Sequence, residues 1–557
     1  MSWNVAHHLE LQARTDRVAV YQPVGTVKIH GGTPHRSITF TQLNTLTDQY
    51  AYGLRQGGVT AGTRVAMMVP PGIEFFAFTF ALFKLAAVPV MIDPGMGVKN
   101  LGRCLAEAEP AVFIGVSKAN IARTLFGWGK ASVGLSVNVG SGRCFTKTSS
   151  TALAKQPQTP VLAADVLPDQ LAAILFTSGS TGLAKGVEYT HGIFTEQVKL
   201  LKLVYGIEPG EIDLCTFPLF ALFGPALGLS CVVPQMNASR PATINPHKAL
   251  AQIRQLNVTQ MFASPAVLKR ISKVAASQAP LNTLRRVISA GAPATLEVLE
   301  KVSKLLPDGA QIYTPYGATE ALPVANVGSQ LLLNQTRMLT EQGHGVCIGK
   351  PVPGVTVQII RIRDDAIAIW DDSLLEPVGT VGEIVVRGPI VTKRYFRRDE
   401  ATALSKIIDP VSNETIHRMG DVGYFDAEGR LWFCGRKSHR VVLADRTLFT
   451  DQVEPVFSSY GSRAALVGVR RSGTIFPVVC IEHHTDAGVK IKRVSWATQQ
   501  QQLQKCAEQF EHTKSIHTFL LTDCFPMDPR HNSKINREKL AIWADMVLGP
   551  NWKGGPS

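Results

Sequence analysis

The chain is 557 residues long and therefore holds more than one core, since single hydrophobic cores stop growing at roughly 250–300 residues. Its hydrophobic fraction of 45% is ordinary for a globular protein, and its formal charge of +14 is dispersed with no basic tract or recognition motif, which argues against a nucleic-acid partner. Nine cysteines fall without CxxC or other metal-ligand spacing, which argues against structural zinc and for reduced thiols in a cytoplasmic chain.

The opening stretch, MSWNVAHHLELQARTDRVAVYQ, has no apolar core of the secretory kind, again pointing to the cytoplasm. Leu43, Leu46, Tyr50 and Leu54 then recur at helical spacing behind a short strand. Arg64 to Pro70 reads as a strand, Pro71 to Ala87 as a helix and Val88 to Ile92 as a second strand, closed by a turn at Asp93, Pro94 and Gly95. This βαβ rhythm predicts a parallel sheet. The most apolar window, Phe75 to Ile92, is broken by Thr79, Lys84 and Pro89 and falls short of the roughly 20 residues a membrane-spanning helix needs. No transmembrane segment is expected, while the positive charge leaves peripheral contact with an anionic lipid surface, or with partner enzymes, open. From Asn138 to Asp165 the composition shifts to Ser, Thr, Gly, Pro and Gln, a connector.

An apolar strand at Leu171 to Phe176 then empties into a loop rich in glycine and hydroxyl side chains, TSGSTGLAKGV. Gly179, Gly182 and Gly186 let the backbone turn its N–H groups toward an anion, Thr177, Ser178, Ser180 and Thr181 add hydroxyl donors, and Lys185 adds a mobile cation. Such a loop cradles phosphates. It is not the Walker form, because Lys185 is followed by Gly186 and not by a hydroxyl residue that could hold magnesium. A helix is expected over Gly192 to Tyr205, and Ile212 to Val233 contains TFPLFALFGPALGLSCVV, a long apolar stretch. Val258 to Leu268 begins another strand and helix, and a strand from Val287 runs into Gly291, Ala292 and Pro293. Glu320, at the end of YTPYGATE, is a carboxylate that makes sense near phosphates if it binds a divalent cation. From Val355 to Pro389 the pattern alternates as strands do, with a turn-bearing insertion at Asp364 to Leu375. The C-terminal part shows strands near Ala464 to Val469 and Phe476 to Ile481 and a helix near Gln499 to Lys514.

TSGSTGLAKGV resembles the phosphate loop of the adenylate-forming superfamily of acyl-CoA synthetases, luciferases and peptide-synthetase adenylation domains. Further motifs stand in that family's order: SAGAPA from Ser289, YTPYGATEA from Tyr313, GEIVVRGP from Gly382, GDVGYFDAEGRLWFCGRK from Gly420 and NSKINREKL from Asn532. The resemblance runs from about Ile38 to Leu540. It implies an α/β fold with a large N-terminal domain, residues 1–436, of βαβ sheets plus a distorted β-barrel. A small mobile α+β lid, residues 437–557, would turn about Ser438.

The resemblance also implies ATP and magnesium as cofactors. Thr177, Ser178, Gly179, Ser180, Thr181, Gly182 and Lys185 would hold the phosphates, and Gly291, Ala292 and Pro293 would border adenine. Tyr316, beside Gly317, would cover the ring face. Thr319 would donate to the α-phosphate, Glu320 would hold magnesium, Asp421 would accept from the ribose diol and Arg436 would touch ribose or phosphate. Lys534 would be the catalytic lysine bridging carboxylate and α-phosphate, and the apolar stretch at 212–233 would border the acyl group.

Two departures narrow the resemblance. Ala221 stands where many acyl-CoA synthetases have a histidine, and KSHRVVLADRTLFT replaces the usual acidic hinge and pantetheine loop after Arg436. The pattern is similar to the olefin β-lactone synthetases of bacterial long-chain hydrocarbon synthesis. It implies a long-chain 2-alkyl-3-hydroxy acid as substrate and other enzymes of a hydrocarbon-forming assembly as partners. A long-chain acyl-CoA ligase, a fatty acyl-AMP ligase and a nucleotide-binding scaffold remain the alternatives, and His191 and His439 are candidate polar contacts to the β-hydroxyl.

Overall fold

The computed structural model describes residues 2–29, 32–142, 144–177, 184–216, 223–483, 495–527 and 535–555. Ser178, Gly179, Ser180, Thr181, Gly182, Ala221 and Lys534 lie outside the described residues.

Two seven-stranded sheets make up most of the large N-terminal domain. The first runs in the order Thr148–Ser149, Leu135–Val139, Val112–Val116, Arg64–Met68, Val88–Ile92, Leu171–Thr177 and Lys185–Thr190. All its pairs are parallel except the last, in which Leu171–Thr177 (β1) and Lys185–Thr190 (β2) run antiparallel with Thr177 opposite Lys185. The two ends of the glycine-rich segment therefore face each other. The chain leaves Arg64–Met68 through the helix Ile73–Lys84, then returns across the sheet through Val98–Ala108 (α1) and Ser117–Phe126 (α2). Right-handed crossovers in opposite directions place the first helix on one face and α1 and α2 together on the other.

The second sheet, from Gln311–Tyr313 through Arg286–Ser289, Gln260–Ala263, Ile212–Cys215 and Ser230–Val232 to Val18–Pro23, is parallel and ends in antiparallel His35–Thr39. Ile73–Lys84 is buried on nearly every side, with Glu74 its one residue outside the core, and Tyr50 stacks on Phe78 with ring centroids 4.2 Å apart. Its Lys84, the residue that interrupts the apolar window, reaches Asp48 at 2.6 Å and Glu10 at 3.3 Å in the core. Among the described residues no helix is long and apolar enough to cross a membrane.

A third, eight-stranded antiparallel sheet, expected from the alternating pattern, takes in Tyr316–Ala318, Ala321–Asn326 and, at its centre, Thr415–Phe425 (β3) and Leu431–Arg436 (β4). The smaller C-terminal domain is a three-stranded sheet, Arg463–Arg471, Thr474–Glu482 and Thr518–Thr522, with the helices Trp496–Ala507 and Arg537–Leu548. Its cores are its own, one around Phe457 and Phe519 and another around Val467 and Leu540. The half-buried Arg537 guanidinium pairs with Glu454 at 3.0 Å and donates to the Leu466 carbonyl at 3.0 Å, which ties the last helix to this sheet. All nine cysteines are free thiols.

Candidate active site

The sheets and the C-terminal domain enclose one large cleft of about 2360 Å³, lined from the N-terminal side by Thr177, Lys185, Gly291, Ala292, Pro293, Gly317, Thr319, Glu320 and Arg436. Residues far apart in the chain meet here because the parallel strands all deliver their C-terminal ends to one edge, where open α/β sheets bind ligands. Arg463 and Glu482 complete the lining from the C-terminal domain. They form a two-point ion pair, at 2.8 and 2.7 Å. Burial alone would raise the Glu482 carboxyl, but Arg463 and the Phe525 amide pull it down to about 2.

Behind one corner of the cleft, lined by Gly317, Gly420 and Arg436, a tyrosine and a carboxylate that do not themselves line it meet that arginine. Strand Tyr316–Ala318 aims the Tyr316 hydroxyl at Asp421 Oδ2, 2.7 Å away, and Arg436 at the end of β4 approaches Asp421 Oδ1 at 2.8 Å. The register of β3 with β4 explains the meeting, since Asp421 pairs directly across from Arg436. Burial, and then Asp421, push the Tyr316 phenol well above its ordinary value, while Asp421 raises Arg436. The corner thus holds a neutral phenol, a carboxylate and a fixed cation. Gly317 is obligatory beside it, because a Cβ there would lie 2.6 Å from the Ala321 carbonyl. Gly291, at φ +100°, turns the backbone from strand Arg286–Ser289 into Ala292 and Pro293 in a conformation other residues rarely adopt.

A second corner centres on Glu320. The Tyr395 hydroxyl donates to Glu320 Oε1 at 2.6 Å, and the Lys185 ammonium sits 4.8 Å from the Tyr395 ring centroid. The Glu320 carbonyl accepts from both the Thr392 amide (2.9 Å) and the Thr392 hydroxyl (3.1 Å). Beneath these, the buried Lys406 ammonium donates to the Thr392 carbonyl and, at 3.2 Å, to its hydroxyl. Tyr189 donates to the Thr319 carbonyl and Gln197 to the Leu322 carbonyl at 2.8 Å, so the 319–322 turn is gripped from below at several points. Burial lowers Lys406 to about 7, with Glu320 opposing the shift, and burial followed by the Lys406 charge holds His417 well below its ordinary value. Among the described residues no cation lies within ion-pair distance of the Glu320 carboxylate.

This corner suits magnesium. The ion prefers hard oxygen donors and keeps several waters, so it needs only one or two protein carboxylates beside substrate phosphates. Among the described residues no cluster of three His, Cys, Asp or Glu gathers at metal-binding distance.

An apolar wall flanks both corners, with Phe194, Leu201, Phe223, Ala318 and Leu322 lining the cleft. Phe194 stacks on Tyr189 at 4.9 Å and meets Phe223 edge-on at 5.8 Å. His191, a candidate polar contact in the sequence, is fully buried beside Phe83 and is not part of the cleft lining; burial lowers it to about 4. The sequence reading missed Tyr395, Thr392, Lys406 and His417. Of these Tyr395 and His417 line the cleft. Lys406 carried a readable signal, a lone lysine opening the apolar strand Lys406–Ile408.

A family profile described as AMP-binding enzyme matches residues 9–396. The chain is 44% identical over 552 residues to olefin beta-lactone synthetase of Xanthomonas campestris pv. campestris, covering 97% of both chains. It is also 44% identical over 556 residues to olefin beta-lactone synthetase of Stenotrophomonas maltophilia, covering 98% of both. O-succinylbenzoate coenzyme A synthetase of Bacillus subtilis, solved in complex with ATP and magnesium ion, superposes with a TM-score of 0.72 at 20% identity over 96% of this chain and 98% of that one. That likeness speaks to the fold.

Proposed function

Because the chain belongs to the AMP-binding enzyme family and is an adenylate-forming ligase, we propose that it activates a long-chain 2-alkyl-3-hydroxy acid with ATP and closes it to a β-lactone, releasing AMP and pyrophosphate. The observation that carries this reading is the 44% identity, over nearly the whole chain, to two olefin beta-lactone synthetases; the meeting of Tyr316, Asp421 and Arg436 and the apolar wall of the cleft support it. The domain boundary is placed after Arg436, where β4 ends, with the C-terminal domain as a lid over the cleft.

In the first step the substrate carboxylate attacks the α-phosphorus and pyrophosphate leaves. Lys185 and the glycine-rich loop from Thr177 to Gly182 hold the phosphate oxygens. Gly291, Ala292, Pro293 and Tyr316 bound the base, with Gly317 allowing close approach, and Asp421 accepts from the ribose hydroxyls while Arg436 holds its charge in place. Thr319 donates to the α-phosphate. Lys534 would bridge carboxylate and α-phosphate, where negative charge builds in the transition state. Glu320 would hold magnesium, which when bound neutralises phosphate charge and orients the leaving group.

In the second step the β-hydroxyl of the same acyl chain attacks the activated carbonyl, forming the ring C–O bond and expelling AMP; the hydroxyl proton leaves with the departing phosphate or to water. The nucleophile is already tethered, which removes the entropic demand of a second substrate, and the apolar wall excludes water from the adenylate. Purified protein given 2-alkyl-3-hydroxy acid, ATP and magnesium without coenzyme A should yield β-lactone, AMP and pyrophosphate by mass spectrometry. Acyl-CoA formed on adding coenzyme A, with no lactone without it, would make the protein an acyl-CoA ligase instead.

A further inference from the structure

Between Glu109 and Asp165 the sequence contains no acidic residue and six Lys or Arg. This stretch carries α2 and the edge of the first sheet, and none of its residues lines the cleft. α1 and α2 lie side by side on the same face: Trp128, one residue past the αL glycine that ends α2, packs so closely on α1 that a Cβ at Gly102 would lie 3.0 Å from the indole nitrogen. Inward, α1 is anchored by Leu101, Cys104, Leu105 and Ala108. Outward it presents Lys99 and Arg103, one turn apart, and α2 presents Lys118, Ile121 and Leu125 at helical spacing.

The exposed side chains on this face are large and apolar. Leu125 is 76% exposed and Phe126 55%, the latter stacked on Trp128 at 5.5 Å. At the other end of α2, Phe145 is 76% exposed. It sits in a turn where Cys144 and Phe145 both take positive φ, +42° and +61°, a conformation uncommon for any side chain and more so for an aromatic one. Cys144 Sγ, 3.7 Å from the Ser117 carbonyl, pins this turn to the first residue of α2. The fold thus holds an aromatic ring out into water, beside a basic helix, at a conformational cost. The only acids on α1 and its cap, Glu107 and Glu109, are each neutralised, at 2.6 Å, by Arg398 and Arg397.

We propose that the outer face of α1 and α2, with Phe145, docks the protein on an anionic lipid surface. Basic side chains interleaved with protruding Leu and Phe match a bilayer interface, where the rings enter the headgroup boundary and the ammonium groups meet lipid phosphates. An acidic protein would be matched by the charge but would leave the protruding Leu125, Phe126 and Phe145 unexplained, and a second copy of this chain would bring the same basic face against it. The inference stands apart from the lactone reading, because it is read by binding and not by turnover.

The test is co-sedimentation of the full chain with vesicles of phosphatidylcholine, with and without phosphatidylglycerol. The expected result is sedimentation with the anionic vesicles only, released as salt rises over the range in which surface charges are screened. Lys118→Glu with Lys99→Glu should weaken it by about five-fold or more per residue changed. Leu125→Ser with Phe126→Ser should weaken it by at least a comparable factor, with pyrophosphate exchange in the absence of vesicles unchanged in both. If either pair melts early, Lys118→Gln and Phe126→Ala serve as the milder versions. Equal binding to phosphatidylcholine alone, no sedimentation at all, or full binding by both variant pairs overturns the proposal. A wild-type oligomer that the same variants dissociate in sizing columns also overturns it, by showing a second copy on this face.

Discussion

Two carboxylates, Glu320 in the lining of the cleft and Asp421 just behind it, are treated in opposite ways. Asp421 is 4% exposed and has a cation on one oxygen and a phenol on the other, so its charge is balanced before any ligand arrives. Among the described residues Glu320 receives only the Tyr395 phenol on its carboxylate, while Thr392 grips its peptide carbonyl and Lys406 in turn holds Thr392, so no cation pairs directly with the carboxylate. A balanced carboxylate is a hydrogen-bond acceptor suited to neutral hydroxyls. An unbalanced one, held rigid, is suited to a divalent cation, since an incoming positive charge repays its electrostatic cost. The same residue type is thus divided between ribose and metal by its neighbours alone.

Glu320→Gln should have the largest effect of the changes that separate the corners. Its amide still pairs with Tyr395 but offers no charge, and pyrophosphate exchange should fall by about 10²–10³, the usual scale for removing one electrostatic partner of a transition state, with the magnesium requirement moved upward. Unchanged magnesium dependence in a titration would show that the corners are not divided this way. Asp421→Asn should be next: KM for ATP rises by about ten-fold or more, and the enzyme no longer distinguishes ATP from 3′-deoxy-ATP, as expected for a lost bond of about 1.5–3 kcal/mol to a charged acceptor. If the variant keeps the wild-type preference, the ribose contact lies elsewhere.

Lys406→Met tests the support under Glu320. It leaves the Thr392 carbonyl without its donor, at about 1–3 kcal/mol, and should lower kcat more than it raises KM for ATP. The pH dependence has a definite sign. Lys406 titrates near 7 when folded and near its ordinary 10.5 when unfolded, so between those values the unfolded chain binds the extra proton and stability rises with pH. The penalty is full below about 7 and gone above 10.5. The variant should therefore lose that slope, and thermal melts of the two proteins from pH 7 to 10 should diverge in the wild type's favour; parallel curves would place the lysine in a wetter site. The smallest effect is expected from Arg394→Ala, which removes an exposed pair to Glu188 on β2. A shift under about 1 kcal/mol is predicted, and a larger one would mean that β2 depends on this tie to hold Lys185.

Most of the fold was legible because its signals are local. The βαβ units appear as apolar runs of strand and helix length, and the observed helix Ile73–Lys84 and strands Arg64–Met68 and Val88–Ile92 fall within the stretches read from sequence. The glycine-rich loop read from sequence runs on to Val187, whereas β2 already begins at Lys185; Val187 and Tyr189, buried on either side of Glu188, carry the alternation of a strand, and the glycines before it mask the signal. Of the motif residues that the structure describes, Thr177, Lys185, Gly291, Ala292, Pro293, Gly317, Thr319, Glu320 and Arg436 line one cleft, while Tyr316 and Asp421 stand behind Arg436 and do not line it. What sequence could not supply is the layer beneath: Thr392 and Tyr395 stand more than 70 positions from Glu320, and nothing in a linear pattern marks a hydrogen bond across that span. His191 shows the opposite failure, a polar residue that looked available and is packed against Phe83.

The most direct test of the proposed reaction follows oxygen atoms. A 2-alkyl-3-hydroxy acid labelled with heavy oxygen in both carboxylate positions is turned over with ATP, and AMP and lactone are weighed by mass spectrometry. Attack of the carboxylate on the α-phosphorus followed by ring closure through the hydroxyl must put one labelled oxygen in AMP and leave one in the lactone carbonyl. Unlabelled AMP with both labels retained in the lactone would mean that the hydroxyl, not the acid, is activated, and would contradict the adenylate mechanism.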